Sequence, residues 1–589
     1  MTNDRQRRLS RRSLVQGAAV TLLSLITAAC GANSTPTKTP TVVRQPTGTP
    51  RFPSPPPVPV PTATPSVGVV ERVIYVDTQS AQADDANPGT ADRPLKTVGK
   101  AATIAADKSL GSMNVRVIIN PGVYRESVSL KIAGVRANAA IHFQAKENGA
   151  ATIAGSDVWT GWQKQGAANI YTHPWPYTWG LAPYPAGWQG NVNLMPIVRR
   201  REMIFINGDP LRQVVSNGEL KPGTFYVAEQ SSTVTIVPTA GVQIEGAMIE
   251  VATRTGIFAV DGARNLTVTG LVFMHDNTAV GGTAVSFTNC TDSVVEDCQF
   301  LWNNWAGMTF ESTAPQISQT MTARRNIANN NGGIGLAASR VKDVLYEDNN
   351  TSYNNWRGAQ GDFRLWSNAG MKHLFIHGGV YRRHRAVGNQ APGCWFDTDC
   401  ADIQIEQAFV CQNDGPGVFI EASQGPTSVT DSTICENQKE AGVYSQGGTN
   451  VTLEGNILYG NADAQIQAVQ GVRPIKNWET NAASSLIAEK WTLRQNTIVG
   501  TDAAPSLADI ANSAGFFKTF VAGGNVWFSP KKSGTFIVDG KGTDLKGWQS
   551  ASHQDADAQF VDPRYVDPEN GDFHLRDDSP VRTPRPNGP

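Results

Sequence analysis

Carboxylate side chains recur at a fixed distance from a series of glycines in the middle of the chain. Six glycines, spaced 26, 25, 35, 24 and 25 residues apart, each open a short strand-like segment, and the fourth residue beyond the glycine is acidic in four of them. A period of this length is typical of folds built from stacked coils, in which equivalent positions form columns. The glycines are Gly307, Gly333, Gly358, Gly393, Gly417 and Gly442, and the fourth residues are Glu311, Ala337, Asp362, Asp397, Glu421 and Gln446.

Asp397 and Glu421 lie on successive coils, and their predicted separation suits glycoside hydrolysis. Because neighbouring strands lie about 4.8 Å apart, two carboxyls at equivalent positions should lie roughly 5 Å from each other. Glycosidases that retain configuration need about 5–5.5 Å between their carboxyls, and inverting enzymes need about 6.5–9.5 Å to admit a water. Like charges this close do not ionise together easily, so one carboxyl should keep its proton while the other stays anionic.

Aromatic residues form a second predicted column beside the acids. Side chains alternate between the two faces of a strand, so Trp395, Phe419 and Tyr444 should point outward with the acids. We expect these three rings to be exposed and to offer flat faces to sugar rings. The outward residues of the six coils would be Thr309, Gly335, Gln360, Trp395, Phe419 and Tyr444.

Weaker candidates for substrate contact surround this pair. Asp362 would lie one coil before Asp397 and Gln446 one coil after Glu421, so both could bond to sugar hydroxyls. The remaining candidates for substrate binding are Glu311, Asp399, Arg364 and His384. For the basic run 382–385, solvated turns or ion pairing with acids are the alternative interpretation.

Composition narrows the function classes. The 589 residues carry a net charge of −1 with only 17% charged residues, which excludes a basic surface for nucleic acid. The chain is too long for one ordinary compact globule, so it forms either several domains or one elongated stack of coils. Its 56 glycines favour an all-β chain with many tight turns.

The first seventy residues indicate export and tethering. Residues 10–15 resemble a twin-arginine signal, residues 15–29 are apolar but too short to span a bilayer, and residues 27–30 resemble a lipobox ending in Cys30. The Pro- and Thr-rich residues 31–70 should form an extended linker. We therefore predict a lipid-anchored protein outside the cytoplasmic membrane or at the cell surface, with a plain secretory signal as the alternative.

The rest of the chain divides by pattern. We predict N-terminal coils at 71–154 with a capping helix over 94–108, an antiparallel insertion at 155–246, central coils at 247–520, and C-terminal coils with a cap at 521–589. Cys411 and Cys435 are 24 residues apart, which stacks them on adjacent coils. Buried small residues in a ladder are favoured over a disulfide, although export permits one.

Two resemblances make the prediction more specific. The N-terminal order of strand, turn, helix and strands resembles right-handed parallel β-helix proteins of the pectate-lyase type. Residues 393–397, followed by 418–421 and by Gly425 and Pro426, resemble the active-site pair of bacterial β-helical β-xylosidases. That resemblance implies Asp397 as nucleophile, Glu421 as acid/base, and a β-linked glycan as substrate, with no cofactor.

Two other functions fit the same residues. A polysaccharide lyase or uronate epimerase would use Ca²⁺ held by several carboxylates together with a basic residue. Its Ca²⁺ ligands could be Asp362, Asp397, Asp399 and Asp402, and its base Arg383 or Arg385. A non-catalytic, lipid-anchored carbohydrate-binding protein is the third possibility, and the oligomeric state is left open.

Overall fold

The computed structural model describes residues 71–469 and 471–581, and its main body is a stack of coils whose strands pair in parallel. The predicted signal, Cys30 and the linker lie outside the described residues. Each coil contributes strands to three ladders, and paired strands in the central coils are about one coil apart in sequence, as Cys394–Asp397 and Val418–Glu421 show. The fold is therefore all-β, as predicted.

The strands of the three ladders are as follows. The first ladder contains Glu71–Val76, Asn114–Ile119, Ile141–Ala145, Leu266–Thr269, Thr291–Glu296, Ser318–Arg324, Ala401–Glu406, Thr427–Thr430, Val451–Glu454, Trp491–Arg494 and Val521–Gly523. The second, the site ladder, contains Val128–Lys131, Phe258–Asp261, Thr283–Thr288, Ala306–Glu311, Cys394–Asp397, Val418–Glu421, Ala441–Gln446, Ala464–Val469, Ala508–Ile510 and Phe536–Val538, with Lys541–Thr543 antiparallel at its end. The long strands Ile334–Glu347 and Ala369–Arg382 run through both of these ladders. The third contains Gly122–Tyr124, Ala151–Ala154, Leu271–Met274, Gln299–Leu301, Arg385–Val387, Phe409–Cys411, Thr433–Cys435, Ile457–Tyr459, Thr497–Val499, Val526–Phe528 and Gln559–Phe560.

Inward-facing side chains form one long apolar core. In the central coils Cys394, Phe396, Val418 and Ile420 are all buried in it, as the alternation of the strands predicts. Asparagines stack at the turns of these coils. The Nδ2 of Asn389 donates to Oδ1 of Asn413 at 2.8 Å, and the chain of amides continues through the following coils. These asparagines are structural because their amides satisfy one another and the backbone of their turns.

A helix covers the N-terminal end of the core. It spans Val98–Ala105, within the predicted 94–108, with Thr97 as its N-cap, and it buries Val98, Ala101, Ala102 and Ala105. Capping protects the apolar interior of the first coil. The other helices are Trp356–Gln360, Ser513–Phe516 and Leu545–Ser552, and the 3-10 helices are Lys108–Leu110, Gly134–Asn138, Pro196–Arg199, Asn217–Glu219, Glu229–Ser231 and Pro568–Asn570.

An antiparallel insertion interrupts the coils. One sheet contains Arg212–Val214, Thr224–Ala228, Thr233–Val237, Tyr171–Pro174 and Gln163–Lys164, and the other contains Asp209–Pro210, Ile204–Ile206, Ile249–Ala252 and Ser156–Val158. Arg357, from the helix between two coils, holds the insertion to the coils. Its Nη1 donates to Oε1 of Gln213 at 2.8 Å and its Nη2 to the carbonyl oxygen of Glu202 at 2.7 Å. Burial lowers the pKa of Arg357 to about 9.

Two further features complete the described chain. Arg473–Lys476 and Ala483–Leu486 form an antiparallel hairpin between two coils, and Tyr565–Asp567 and Asp572–Leu575 form another near the C-terminus.

Cys411 and Cys435 stack one coil apart, as expected, but they form a disulfide, so the favoured interpretation as a ladder of buried small residues is wrong. The thiols of Cys290, Cys298, Cys394 and Cys400 are free and buried. Among the described residues, no helix has the length and apolar character needed to cross a membrane.

Candidate functional site

A column of glycines sets the register of the site ladder, and two of its members differ from the predicted ones. The column runs through Gly307, Gly335, Gly370, Gly393, Gly417 and Gly442. A Cβ on Gly370 would lie 2.8 Å from the carbonyl oxygen of Gly393, and one on Gly335 would lie 2.7 Å from that of Gly370. Glycine is required because only a residue without Cβ permits this approach between coils. The predictions of Gly333 and Gly358 are therefore wrong.

The acid pair lies side by side on the site ladder. Asp397 and Glu421 are Cα partners on adjacent parallel strands. Their neighbours Phe396 and Ile420 fill the core, whereas Trp395 and Phe419 pack in a separate cluster on the outer face with the acids. Both carboxyls are well shielded, since their side chains are 8% and 2% exposed. Adjacent strands place them about one strand spacing, roughly 4.8 Å, apart along the ladder.

A buried lysine binds Asp397 from the preceding coil. Lys372 is the Cα partner of Trp395, and its Nζ lies 3.0 Å from Oδ2 of Asp397. The same Nζ donates to the carbonyl oxygen of Trp366 at 2.6 Å and lies 3.1 Å from the centroid of the Trp395 ring. The other carboxylate oxygen of Asp397 accepts from Oγ1 of Thr398 at 2.8 Å. Asp397 is thus held on both oxygens.

An arginine from the hairpin binds Glu421. The Nη2 of Arg473 lies 2.5 Å from Oε1 of Glu421, and its Nη1 donates to Oε1 of Gln446 at 3.2 Å. The Nε2 of Gln446 donates in turn to the hydroxyl of Tyr444 at 2.7 Å. Gln446 is the Cα partner of Glu421 on the next coil, as predicted. Each acid therefore has its own cation.

The tip of the hairpin is fixed by the turn that follows Asp397. Asp399 is fully buried, and its Oδ2 accepts from the backbone N–H of Trp478 at 2.6 Å while its Oδ1 accepts from Gln424. Its carboxylate therefore anchors the hairpin, and substrate binding by Asp399 stays a prediction. Glu479, beside Trp478, lies 2.5 Å from Nδ1 of His377 and 2.7 Å from Nζ of Lys342.

The aromatic column exists, but the predicted exposed platform does not. Trp395 and Phe419 stack with centroids 4.7 Å apart, and Phe419 and Tyr444 lie 4.9 Å apart. The three residues are only 1%, 2% and 8% exposed. The rings cover one another, and Lys372 covers Trp395, so their faces are not open to solvent. Their role in this structure is to pack the outer face beside the acids.

The corrected register changes the neighbours of the acids. Leu374, not Asp362, is the Cα partner of Asp397 on the preceding coil. Asp362 follows the helix Trp356–Gln360 outside the ladder, and its side chain is 91% exposed. Glu311 does belong to the acid column, but it lies three coils before Asp397, about 14 Å away at the ordinary strand spacing. Burial raises the pKa of Glu311, whose carboxyl accepts from Thr288.

Arg364 and His384 have partners away from the acids. Arg364 pairs with Asp414 and, at 3.2 Å, with Asp362. His384 is 1% exposed, its Nε2 lies 2.9 Å from Oγ1 of Thr351, and burial lowers its pKa to about 4. The ring of His384 is enclosed, and its contact with substrate stays a prediction. The neighbouring Arg382 and Arg383 form ion pairs, as with Arg383 and Asp348 at 2.7 Å.

Two residues central to this site, Lys372 and Arg473, were absent from the sequence predictions. Lys372 lies two residues after Gly370, just as Trp395 lies two residues after Gly393. Choosing Gly370 in place of Gly358 as the column glycine would therefore have placed Lys372 beside Trp395. Arg473 has no such signal, because its hairpin is outside the repeat.

The Ca²⁺ ligands proposed for a lyase do not come together. Asp399 is committed to the hairpin, Asp362 lies outside the ladder, and Asp402 is exposed. Within residues 71–469 and 471–581, no group of three or more His, Cys, Asp or Glu side chains is arranged to hold a metal ion.

Comparison with solved structures identifies the fold. No family model and no curated protein matches the chain. The complex of XylC with xylose superposes with a TM-score of 0.63 at 14% identity, covering 84% of this chain and 87% of that one. The A-module of the mannuronan C-5 epimerase AlgE6 from Azotobacter vinelandii gives 0.45 at 13% identity over 79% and 94% of the two chains. The GH136 lacto-N-biosidase from Eubacterium ramulus gives 0.36 at 12% identity over 83% and 66%. The likeness to the XylC complex and the parallel ladders together give this protein the fold predicted for it, a right-handed parallel β-helix of the pectate-lyase type.

Proposed function

We propose that the protein is an extracytoplasmic, xylosidase-like glycoside hydrolase that cleaves a β-linked glycan with retention of configuration. The observation that carries this proposal is the pairing of Asp397 and Glu421 on adjacent strands of the outer face. One strand spacing is close to the separation that retaining enzymes need and too short for the water of an inverting enzyme.

In the proposed mechanism Asp397 attacks the anomeric carbon while Glu421 protonates the departing glycosidic oxygen. Water, deprotonated by Glu421, then attacks the anomeric carbon of the glycosyl-enzyme and releases the sugar. Arg473 occupies Glu421 in this structure. Substrate binding must therefore displace the guanidinium, or turn the carboxyl away from it, before Glu421 reaches the glycosidic oxygen.

Two further observations support the proposal. The fold is shared with XylC, whose structure was solved with xylose. The disulfide between Cys411 and Cys435 supports export, because disulfides persist in oxidising compartments. Anchoring through Cys30, whose signal motif lies outside the described residues, is part of the same proposal.

A panel of aryl glycosides with wild type and two variants tests the mechanism. We expect wild type to release the aryl group from at least one β-glycoside and Glu421→Ala to lose about 10²-fold or more of that rate. Azide should restore turnover in Glu421→Ala by attacking the glycosyl-enzyme and giving a glycosyl azide of retained configuration. Asp397→Ala should be inactive without azide, and any turnover that azide restores should give a glycosyl azide of inverted configuration, because azide then attacks the substrate directly in place of the carboxylate.

Glu406→Gln is the matched control. Glu406 lies on the same coil as Asp397 but on the first ladder, where it pairs with Arg382 at 2.9 Å. Its substitution should leave turnover unchanged. Absence of turnover by wild type on every glycoside, or a product of inverted configuration, would refute the proposal.

A uronate lyase or epimerase is the second candidate, and the two cations favour it. Such enzymes neutralise the substrate carboxylate and remove the C5 proton, tasks that suit Lys372 and Arg473. Incubation with uronate polymers decides between the two: unsaturated products or C5 inversion, abolished by a chelator if Ca²⁺ is needed, would favour the second candidate over hydrolysis.

A further inference from the structure

A lysine is unusual at position 372, because the side chain there is buried. Its side chain is only 1% exposed, although it lies on the outer face of the coils. Burying an ammonium group is costly unless the charge is paired and hydrogen-bonded. Three contacts offset that cost here, namely the carboxylate of Asp397, the carbonyl oxygen of Trp366 and the face of Trp395. The mechanism proposed above gives Lys372 no step.

The geometry makes the environment of Asp397 asymmetric. Lys372 binds only Oδ2, and Thr398 donates to Oδ1. A cation this close stabilises the ionised carboxylate over the protonated or esterified group. Because the indole of Trp395 stacks on Phe419, the ring that supports Lys372 is itself fixed. The ammonium therefore has little freedom to move with the carboxyl of Asp397 when that carboxyl becomes an ester.

We propose that Lys372 is a positioning residue that makes Asp397 the leaving group of the second chemical step. This inference rests on the proposed hydrolase function. When Asp397 attacks, its carboxylate becomes a neutral ester and Lys372 loses its counter-charge. In the second step water adds to the anomeric carbon, its proton goes to Glu421, and the ester C–O bond breaks with its electron pair returning to Asp397. Lys372 stabilises the carboxylate that reforms.

The consequence is a specific kinetic pattern. Without Lys372, hydrolysis of the glycosyl-enzyme should slow more than its formation, so the intermediate accumulates and kcat and KM fall together. This pattern is not expected of a lysine that only stabilises the fold.

The experiment compares Lys372→Met, Lys372→Arg and wild type on a dinitrophenyl glycoside that wild type cleaves. For Lys372→Met we expect a burst of dinitrophenol in rapid-mixing kinetics and a fall of about tenfold in both kcat and KM. Lys372→Arg, which keeps the charge, should stay closer to wild type. Lys439→Met is the control, because Lys439 pairs with Asp414 on the surface and is 53% exposed.

The outcomes separate this inference from the function on which it rests. If wild type turns the substrate over but Lys372→Met shows no burst and an unchanged KM, the role of Lys372 alone is overturned. No turnover by wild type on any glycoside would overturn the hydrolase itself. If Lys372→Met does not fold, Lys372→Gln carries the same test, because its amide still donates a hydrogen bond without the charge.

Discussion

Lys372 and Arg473 each bind one carboxylate of the acid pair, but they belong to different parts of the molecule. Lys372 is part of the repeat: it lies on the long strand Ala369–Arg382, directly between Ala337 and Trp395 in the ladder. Arg473 lies on the hairpin that interrupts the chain between two coils, and its side chain is 16% exposed.

The two regions are held by different forces. The strand of Lys372 is bonded to coils on both sides, so moving it means breaking the ladders. The hairpin is held by a small apolar cluster of Ala422, Ile475 and Leu486 and by polar contacts at its two ends. Regions with few buried apolar contacts open at a lower free energy than core strands.

This difference assigns distinct behaviour to the two acids. Asp397 is fixed by the body of the protein, which suits a nucleophile that must stay aligned with a bound sugar. Glu421 is covered by the hairpin, which we expect to separate from the coils more readily, as the acid/base role proposed for Glu421 requires. The predictions that follow test this contrast.

The largest expected effect is on stability, and it should differ between the two cations. Lys372→Met leaves a carboxylate buried without its cation and should lower the free energy of unfolding by about 3–5 kcal/mol. Arg473→Met should cost only about 1–2 kcal/mol, because the hairpin can move and let water reach Glu421. Chemical denaturation measures both. Equal losses would show that the hairpin is as firmly fixed as the ladder.

A pair of glycines provides a second test of the same contrast. In Gly370→Ala the new Cβ would lie 2.7 Å from the carbonyl oxygen of Thr351 and 2.8 Å from that of Gly393. We expect a loss of about 1–3 kcal/mol in unfolding free energy from this overpacking. Gly471, two residues before Arg473, has open space around it, so Gly471→Ala should stay within about 0.5 kcal/mol of wild type. A large effect of Gly471→Ala on the unfolding free energy would contradict the expected difference in packing between the ladder and the hairpin.

The same contrast separates what the sequence could predict from what it could not. Coils, capping helix and the adjacency of Asp397 and Glu421 follow from periodicity, because parallel pairing repeats the same register from coil to coil. Choosing Gly333 in place of Gly335 was an error of two residues, and the larger error arose where the repeat is interrupted. The helix Trp356–Gln360 lengthens one coil, so counting from Gly358 misplaced the column and put Asp362 where Leu374 lies.

Residues outside the repeat were beyond the reach of this reasoning. Arg473 reaches Glu421 across 52 residues of sequence, and no periodic signal connects them. Burial of Trp395 and Phe419 likewise depends on side chains from other coils packing over their rings, which alternation along a strand does not report. Spacing placed Cys411 and Cys435 together but did not decide that they are bonded.

The smallest expected effect is a pH dependence of the hairpin tip. Burial lowers the pKa of His377, but its hydrogen bonds and charge interactions with Asp399 and Glu479 outweigh burial, so the pKa is raised overall. The other charged group in the contact is Lys342, which pairs with Glu479. The protonated ring stabilises the closed hairpin. That stabilisation, about 0.5–1 kcal/mol, is complete below the unfolded pKa of about 6.5 and is lost as pH rises through the raised folded pKa.

Hydrogen exchange at the amide of Trp478, corrected for intrinsic rates, should therefore lose protection as the pH rises. His377→Gln should remove this dependence and His574→Gln should not; unchanged protection across the range in wild type would show that the tip is held by Asp399 alone.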